Sequence, residues 1–193
     1  MESSTLVSIF LAALLTDNFV LSKFLGICPF LGASQKLNTA LGMSVAVIFV
    51  MLIGAFVTWP IQTFLLAPND LGYLQTIVFI LVIASLVQFI SIILQKFMPT
   101  LYNSLGVFLP LMTTNCAILG VVLLNVGQGL TYFQSIINSL GAGLGFTLAM
   151  VLFVGIRERL ETCPVPKSLQ GLPITLIAAA FLAIAFLGFN GLV

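Results

Sequence analysis

Two short segments of the sequence share a pattern that includes a reactive side chain. Residues Cys28–Gly32 and Cys116–Gly120 both read Cys-x-x-Leu-Gly. A lone cysteine in an apolar segment is usually only a small, soft side chain. Two cysteines at matching places of an internal repeat instead suggest that both thiols serve one site. Thiolates are the ligands of iron–sulfur clusters and of many structural zinc ions, so metal binding is the chemistry to consider first.

Two thiolates are only half of such a ligand set, because clusters and structural zinc normally take four ligands. The chain has no His to complete the set. A second polypeptide must therefore contribute, and a homologous subunit with its own cysteine pair is the most economical choice. The function would then be one-electron transfer across the membrane. The third cysteine, Cys163, has no counterpart in the other half and is interpreted as incidental.

The composition excludes a soluble domain. Of 193 residues, 61% are hydrophobic and 6% are charged, against roughly 25% charged residues in soluble proteins. The net charge of +1 and the absence of clustered Lys and Arg also exclude electrostatic binding of nucleic acid. The lipid bilayer is the expected solvent.

The apolar segments predict an all-α integral membrane protein, a single domain over residues 1–193 with six transmembrane helices. A bilayer core needs about 20 apolar residues in a helix. Glycines within Asn125–Thr131 divide the long uncharged stretch between residues 97 and 156 into two spans, and Pro60 is expected to end the second span. The other four are Leu6–Leu25, Leu37–Trp59, Leu71–Gln95 and Leu169–Val193.

The cations predict the orientation. Two flank the first connection between spans, and the other four lie in the third and fifth connections; the positive-inside rule places all three connections in the cytoplasm. Both termini are therefore expected outside the cytoplasm. Arg157 and Arg159 are interpreted as anchoring the cytoplasmic end of the fifth span. The six cations are Lys23, Lys36, Lys96, Arg157, Arg159 and Lys167.

The two cysteine segments also predict an inverted repeat. Residues 4–95 and 100–193 would each hold three spans, and an odd number of spans turns the second copy over in the membrane. Helices 1 and 4 are expected to be interrupted, at Thr16–Asn18 and at Pro110 with Thr113–Asn115. Interrupted helices at corresponding places in two halves indicate a buried site.

The polar residues at these interruptions allow two interpretations. Asp17, Asn18, Thr113, Thr114 and Asn115 could line an ion path, or they could satisfy backbone groups freed where a helix breaks. Asp17 could equally cap a helix that resumes at Asn18. A secondary transporter with no cluster therefore remains an alternative.

Three stretches resemble a known family: Asn18–Phe30, Gly106–Ala117 and Gly155–Arg159. They are similar to a family that includes the A subunit of the Rnf electron-transport complex and the E subunit of the sodium-translocating NADH:quinone reductase. The resemblance covers essentially the whole chain. Cys28-Pro29 and Thr113–Cys116 look more like the Rnf branch, and the quinone-reductase branch is the alternative.

The resemblance implies a translocase subunit without a complete active site of its own. The Rnf complex moves electrons between reduced ferredoxin and NAD while translocating sodium ions or protons across the cytoplasmic membrane of a prokaryote. Cys28 and Cys116 would be two of four ligands to an intramembrane [2Fe-2S] cluster. A homologous, oppositely inserted E subunit would supply the other two ligands, and other Rnf subunits would carry the flavins and further iron–sulfur centres. Ion movement would follow if cluster reduction shifts the balance between inward-open and outward-open arrangements of the two halves.

Overall fold

The computed structural model describes residues 2–16, 18–34, 37–69, 72–97 and 115–188. These residues contain helices and connecting turns, and no strand occurs among them. The α-helices are α1 (Glu2–Leu11), α2 (Ile27–Ala33), α3 (Leu37–Ile61), α4 (Gln75–Phe97), α5 (Cys116–Gly127), α6 (Tyr132–Glu161) and α7 (Leu172–Leu187). The predicted all-α class is confirmed for the described part of the chain.

Among the described residues, three helical segments are long and apolar enough to cross a bilayer. They are Leu37–Leu66, Gly72–Ile93 and Tyr132–Glu161. Shorter apolar helices cover Leu6–Leu15, Cys116–Gly127 and Leu172–Leu187. This agrees with a multi-pass membrane protein, while the number of six crossings and the inverted repeat stay predictions.

The first predicted span is broken. After α1 the helix widens into a π-helical turn, Ala12–Thr16, and residues 18–26 form turns. The helix resumes at Ile27, so the alternative in which it resumes at Asn18 is wrong. Phe24 and Gly26 explain the delay, because their φ angles of 55° and 84° are left-handed and cannot continue a right-handed helix. The second predicted interruption lies outside the described residues, except for Asn115.

Pro60 does not end the second span, so that prediction is wrong. It lies inside α3, and the chain continues through a π-helical turn, Gln62–Leu66, and a 3₁₀ turn, Ala67–Asn69. Proline lacks the backbone N–H that would bond the carbonyl four residues earlier, and its ring pushes against that carbonyl. The wider turn beyond Pro60 lets the helix continue with a changed hydrogen-bond pattern instead of stopping.

Helices α3 and α6 form the centre of the molecule and pack on each other more extensively than any other pair. Helix α6 also contacts α1, α5 and α7, whereas α3 contacts α2, α4 and α5. The largest side chains that this core buries completely include Met43, Met51, Ile118, Phe146, Met150 and Phe153.

Glycines allow α6 to approach two neighbours closely. A Cβ atom on Gly141 would lie 2.9 Å from the carbonyl oxygen of Phe10, and one on Gly145 would lie 3.1 Å from that of Ala13. On another side of α6, a Cβ on Gly143 would lie 2.8 Å from Cγ1 of Ile48. Small residues at such contacts are typical of membrane helices, where close backbone packing replaces the hydrophobic effect between helices.

Helices α5 and α6 form a hairpin whose turn falls where the glycines predict it, within Asn125–Thr131. A buried polar group ties the two helices together. The Nδ2 atom of Asn138 donates to Oδ1 of Asn125 over 2.6 Å, and Nδ2 of Asn125 donates to Oγ of Ser139 over 3.1 Å. In lipid these groups have no water to bond, so their mutual bonds hold the hairpin together.

Candidate functional site

Cys116 is the first residue of α5, and its neighbour Asn115 caps that helix. The Oδ1 atom of Asn115 accepts a hydrogen bond of 3.0 Å from the amide of Ala117. The Cys116 thiol is partly exposed. As the first residue, Cys116 lies at the positive end of this 12-residue helix.

Cys28 lies in the first turn of α2 and is exposed on the surface of this chain. The helix is short, yet α6 holds it at two places. Phe30 stacks on Phe153 with ring centroids 4.3 Å apart. At the other end of α2, Nη1 of Arg157 donates to the carbonyl of Leu31 over 2.9 Å and to Oγ of Ser34 over 2.8 Å.

A hydrogen bond joins the turn before α2 to Cys116. The backbone amide of Gly26 donates to Sγ of Cys116 over 3.0 Å, although the two residues are 90 positions apart in the sequence. Gly26 directly precedes α2, so the bond brings Cys116 against the turn that leads into Cys28.

The turn before α2 packs closely against the first turns of α5. A Cβ atom on Gly26 would lie 2.9 Å from Cβ of Ala117 and 3.3 Å from the Phe146 ring. One turn further along α5, a Cβ on Gly120 would lie 2.5 Å from Cδ1 of Leu25. Residues 25 and 26 thus lie flat on one side of the first turns of α5.

Asn18 and Asn115 are the two residues of the predicted ion path that the structure describes, and both are buried. The Nδ2 atom of Asn18 donates to the carbonyl of Gly145 over 2.8 Å, and its Oδ1 accepts from the amide of Val20 over 3.2 Å. Asn18 therefore satisfies backbone groups at the break. The Nδ2 atom of Asn115, by contrast, is a buried donor with no acceptor among the residues that the structure describes.

The remaining predicted site residues, Asp17, Thr113 and Thr114, lie outside the described residues. Among the residues that are described, no three Cys, Asp or Glu side chains come together to hold a metal ion. Cys163 is exposed and lies in the connection between α6 and α7, whereas the other two cysteines lie in α2 and α5.

The family model described as "Rnf-Nqr subunit, membrane protein" matches residues 6–193, nearly the whole chain. The chain belongs to the Rnf-Nqr membrane subunit family. The resemblance carried by the cysteine segments is thereby confirmed.

Curated members of the Rnf-Nqr family match the chain over almost its full length. The chain is 57% identical over 188 residues to the A subunit of the Na(+)-translocating ferredoxin:NAD(+) oxidoreductase complex of Acetobacterium woodii, covering 97% of this chain and 98% of that protein. It is 56% identical to the A subunit of the ion-translocating oxidoreductase complex of Syntrophotalea carbinolica, covering 97% of each chain. The corresponding protein of Proteus mirabilis is 53% identical, with 96% of each chain covered.

Proposed function

We propose that this chain is the A subunit of an ion-translocating ferredoxin:NAD oxidoreductase complex and supplies half of an intramembrane iron–sulfur site. Cys28 and Cys116 would be two of four thiolate ligands to a [2Fe-2S] cluster. A homologous membrane subunit, inserted the opposite way up, would supply the other two. The names of the full-length relatives support the complex, and the Gly26 to Cys116 hydrogen bond is the observation on which the site rests.

The donor chemistry fits the proposed cluster. Both candidate ligands are soft sulfurs, and each lies in the first turn of its helix. Cys28 is exposed and Cys116 partly exposed, so both can be reached from outside this chain, as a shared site requires. Within the described part of the chain, the buried Nδ2 of Asn115, next to Cys116, has no hydrogen-bond partner, and a nearby anionic group would be an acceptor for it.

The lengths of α2 and α5 support a site deep in the membrane. The two helices meet at their N-terminal ends through the Gly26 to Cys116 bond. With 7 and 12 residues, they are about 10 Å and 18 Å long at 1.5 Å per residue. Each is shorter than the hydrocarbon thickness of about 30 Å, so a site where their N-terminal ends meet, away from their outer C-terminal ends, would lie within the bilayer.

The contacts at those outer ends support the inverted repeat. The C-terminal end of α2 is bonded by Arg157, near the end of α6. The turn that follows α5 is bonded by Trp59, near the end of α3, whose Nε1 donates to the carbonyl of Leu130 over 3.0 Å. Trp59 also packs on Tyr132, the first residue of α6, about 38 Å along that helix from Arg157. Each half of the chain thus bonds the other near an opposite end of α6, which supports the proposed inverted repeat.

A cluster bound here would supply reversible one-electron transfer, linking redox centres on the two sides of the membrane. The chain itself would provide the thiolates, the positive end of α5 that favours their negative charge, and an apolar surrounding that excludes water. Phe30, Phe146 and Phe153 are among the buried side chains around the two segments.

Replacing either ligand tests the proposal. We expect the Cys28→Ala and Cys116→Ala variants of the purified complex to lose about two iron atoms per complex and one [2Fe-2S] EPR signal, because three thiolates do not complete the ligand set. Metal analysis and EPR spectroscopy at the same protein concentration measure both quantities.

Cys163→Ala is the matched control. It removes an exposed thiol from the connection between α6 and α7, and its iron content and spectrum should equal those of the unmodified complex. Unchanged iron and an unchanged signal in both Cys28→Ala and Cys116→Ala would contradict the cluster and favour a secondary transporter without metal.

A further inference from the structure

We infer that the Gly26 amide sets the reduction potential of the proposed cluster, by donating a hydrogen bond to the Cys116 thiolate. This inference rests on the function proposed above. It assigns to Gly26 a positioning role that the sequence pattern alone does not indicate, since Gly26 is not part of the repeated Cys-x-x-Leu-Gly motif.

The geometry favours a strong interaction. The distance of 3.0 Å from the Gly26 nitrogen to the Cys116 sulfur is short for a hydrogen bond to sulfur. The donor is a backbone amide, so it cannot rotate away as a side chain could. Gly26 is also buried, and a hydrogen bond in a low-dielectric surrounding is electrostatically stronger than one in water.

Only glycine fits at this position. Its φ of 84° is left-handed, which L side chains rarely adopt. A Cβ atom there would lie 2.9 Å from Cβ of Ala117, closer than two such atoms approach. Ala117 cannot simply shift, because its amide is bonded to the Asn115 cap. A larger residue at position 26 must therefore move the turn and lengthen the bond to sulfur.

The direction of the effect follows from charge. Adding an electron makes a cluster more negative, and a hydrogen-bond donor on a ligand sulfur stabilises that added charge. Losing the donor therefore lowers the potential at which the cluster accepts an electron. The same bond also makes the two ligands of this chain unequal, since Cys116 is partly covered and hydrogen-bonded whereas Cys28 is exposed.

The test is an EPR-monitored redox titration of the purified complex. The [2Fe-2S] signal that disappears in Cys116→Ala identifies the cluster. In Gly26→Ala we expect iron to be retained and the midpoint potential to become more negative. At a solution potential equal to the unmodified midpoint, the ratio of reduced to oxidised cluster should fall about tenfold, which corresponds to 59 mV for one electron.

Gly129→Ala is the matched control. Gly129 also has a positive φ, 62°, in the turn between α5 and α6, but a Cβ there would meet nothing within 4 Å. This variant strains the backbone in the same way without touching either cysteine segment, so its midpoint potential should not change.

A second variant covers the case in which Gly26→Ala does not assemble. Gly26→Ala combined with Ala117→Gly removes the Cβ to Cβ collision, but the φ of 84° and the 3.3 Å approach to the Phe146 ring still displace the turn. The midpoint should again become more negative, by less than in Gly26→Ala. An unchanged midpoint in whichever variant retains the signal would overturn the inference, as would loss of the signal from both. Failure of the proposed function would give a different result, because the unmodified complex would then have no signal that depends on Cys28 and Cys116.

Discussion

At the break in the first helix, single side chains form hydrogen bonds with backbone groups. The sequence predicted this role only in general terms. Asn18 was one of several polar residues that could line an ion path or satisfy free backbone groups. In the structure it bonds the carbonyl of Gly145, 127 positions away, and the amide of Val20. Sequence reasoning places a polar residue at the break, but it cannot find a partner in another helix, because that contact exists only once α1 packs on α6.

Asn18→Asp tests this role. Aspartate keeps the oxygen that accepts from Val20 but loses the donor to the Gly145 carbonyl, and it buries a carboxylate. An unpaired buried polar group costs about 1–3 kcal/mol. We expect the thermal unfolding midpoint of the protein in detergent to fall by several degrees.

Asn38→Ala, at an exposed position in the first turn of α3, is the control and should leave the midpoint nearly unchanged. Equal midpoints for Asn18→Asp and the unmodified protein would mean that the bond to Gly145 contributes nothing to stability.

Helices show more clearly what the sequence can and cannot predict. The turn between α5 and α6 was predicted from its glycines, and these positions determine local backbone geometry. The end of α3 was not predicted correctly. A helix can continue past a proline through a widened turn when other groups satisfy the freed carbonyls. The role of Arg157 was also missed. It bonds the end of α2 instead of only anchoring the end of α6, and no local signal indicates which helix end an arginine will reach.

The packing of α1 on α6 provides a prediction at this scale. In Gly141→Ala the added methyl group would lie 2.9 Å from a backbone oxygen of Phe10, which cannot rotate out of the way. Such overpacking typically costs about 1–3 kcal/mol. We expect a lower unfolding midpoint and faster proteolysis of the α1 segment in detergent.

Gly155→Ala is the matched change in the same helix, because a Cβ at Gly155 meets nothing within 4 Å. Alanine forms helices better than glycine, so this control should be neutral or slightly stabilising. If both variants behaved alike, close contact between α1 and α6 would not be needed for stability.

At the scale of the whole molecule, two different side chains form hydrogen bonds with backbone carbonyls at its two ends. Arg157 bonds the end of α2 at one, and Trp59 bonds the chain beyond α5 at the other. The sequence predicted a repeat from the two cysteine segments, and these crossed contacts are what such a repeat would produce. They could not be predicted from the sequence, since arginine and tryptophan are dissimilar residues and no local pattern links the two positions.

Labelling in vesicles tests the orientation of these ends. Cys163 is exposed in a connection predicted to be cytoplasmic, whereas Gln128 is exposed in the turn between α5 and α6, predicted to be outside. In a Cys28→Ala, Cys116→Ala background, a membrane-impermeant maleimide should label Cys163 only in inverted vesicles. After Cys163→Ala, a Gln128→Cys variant should be labelled only in right-side-out vesicles. Labelling of both from the same side would contradict the predicted topology.

The exposed thiol of Cys28 also has a consequence for how cells would build the complex. Under the proposed function, a newly made copy of this chain supplies only two of the four ligands. Iron delivered at that moment would not be bound stably. The sister polypeptide must dock first, and maturation factors must act on the pair. A copy of this chain without its partner subunit would therefore not acquire the cluster.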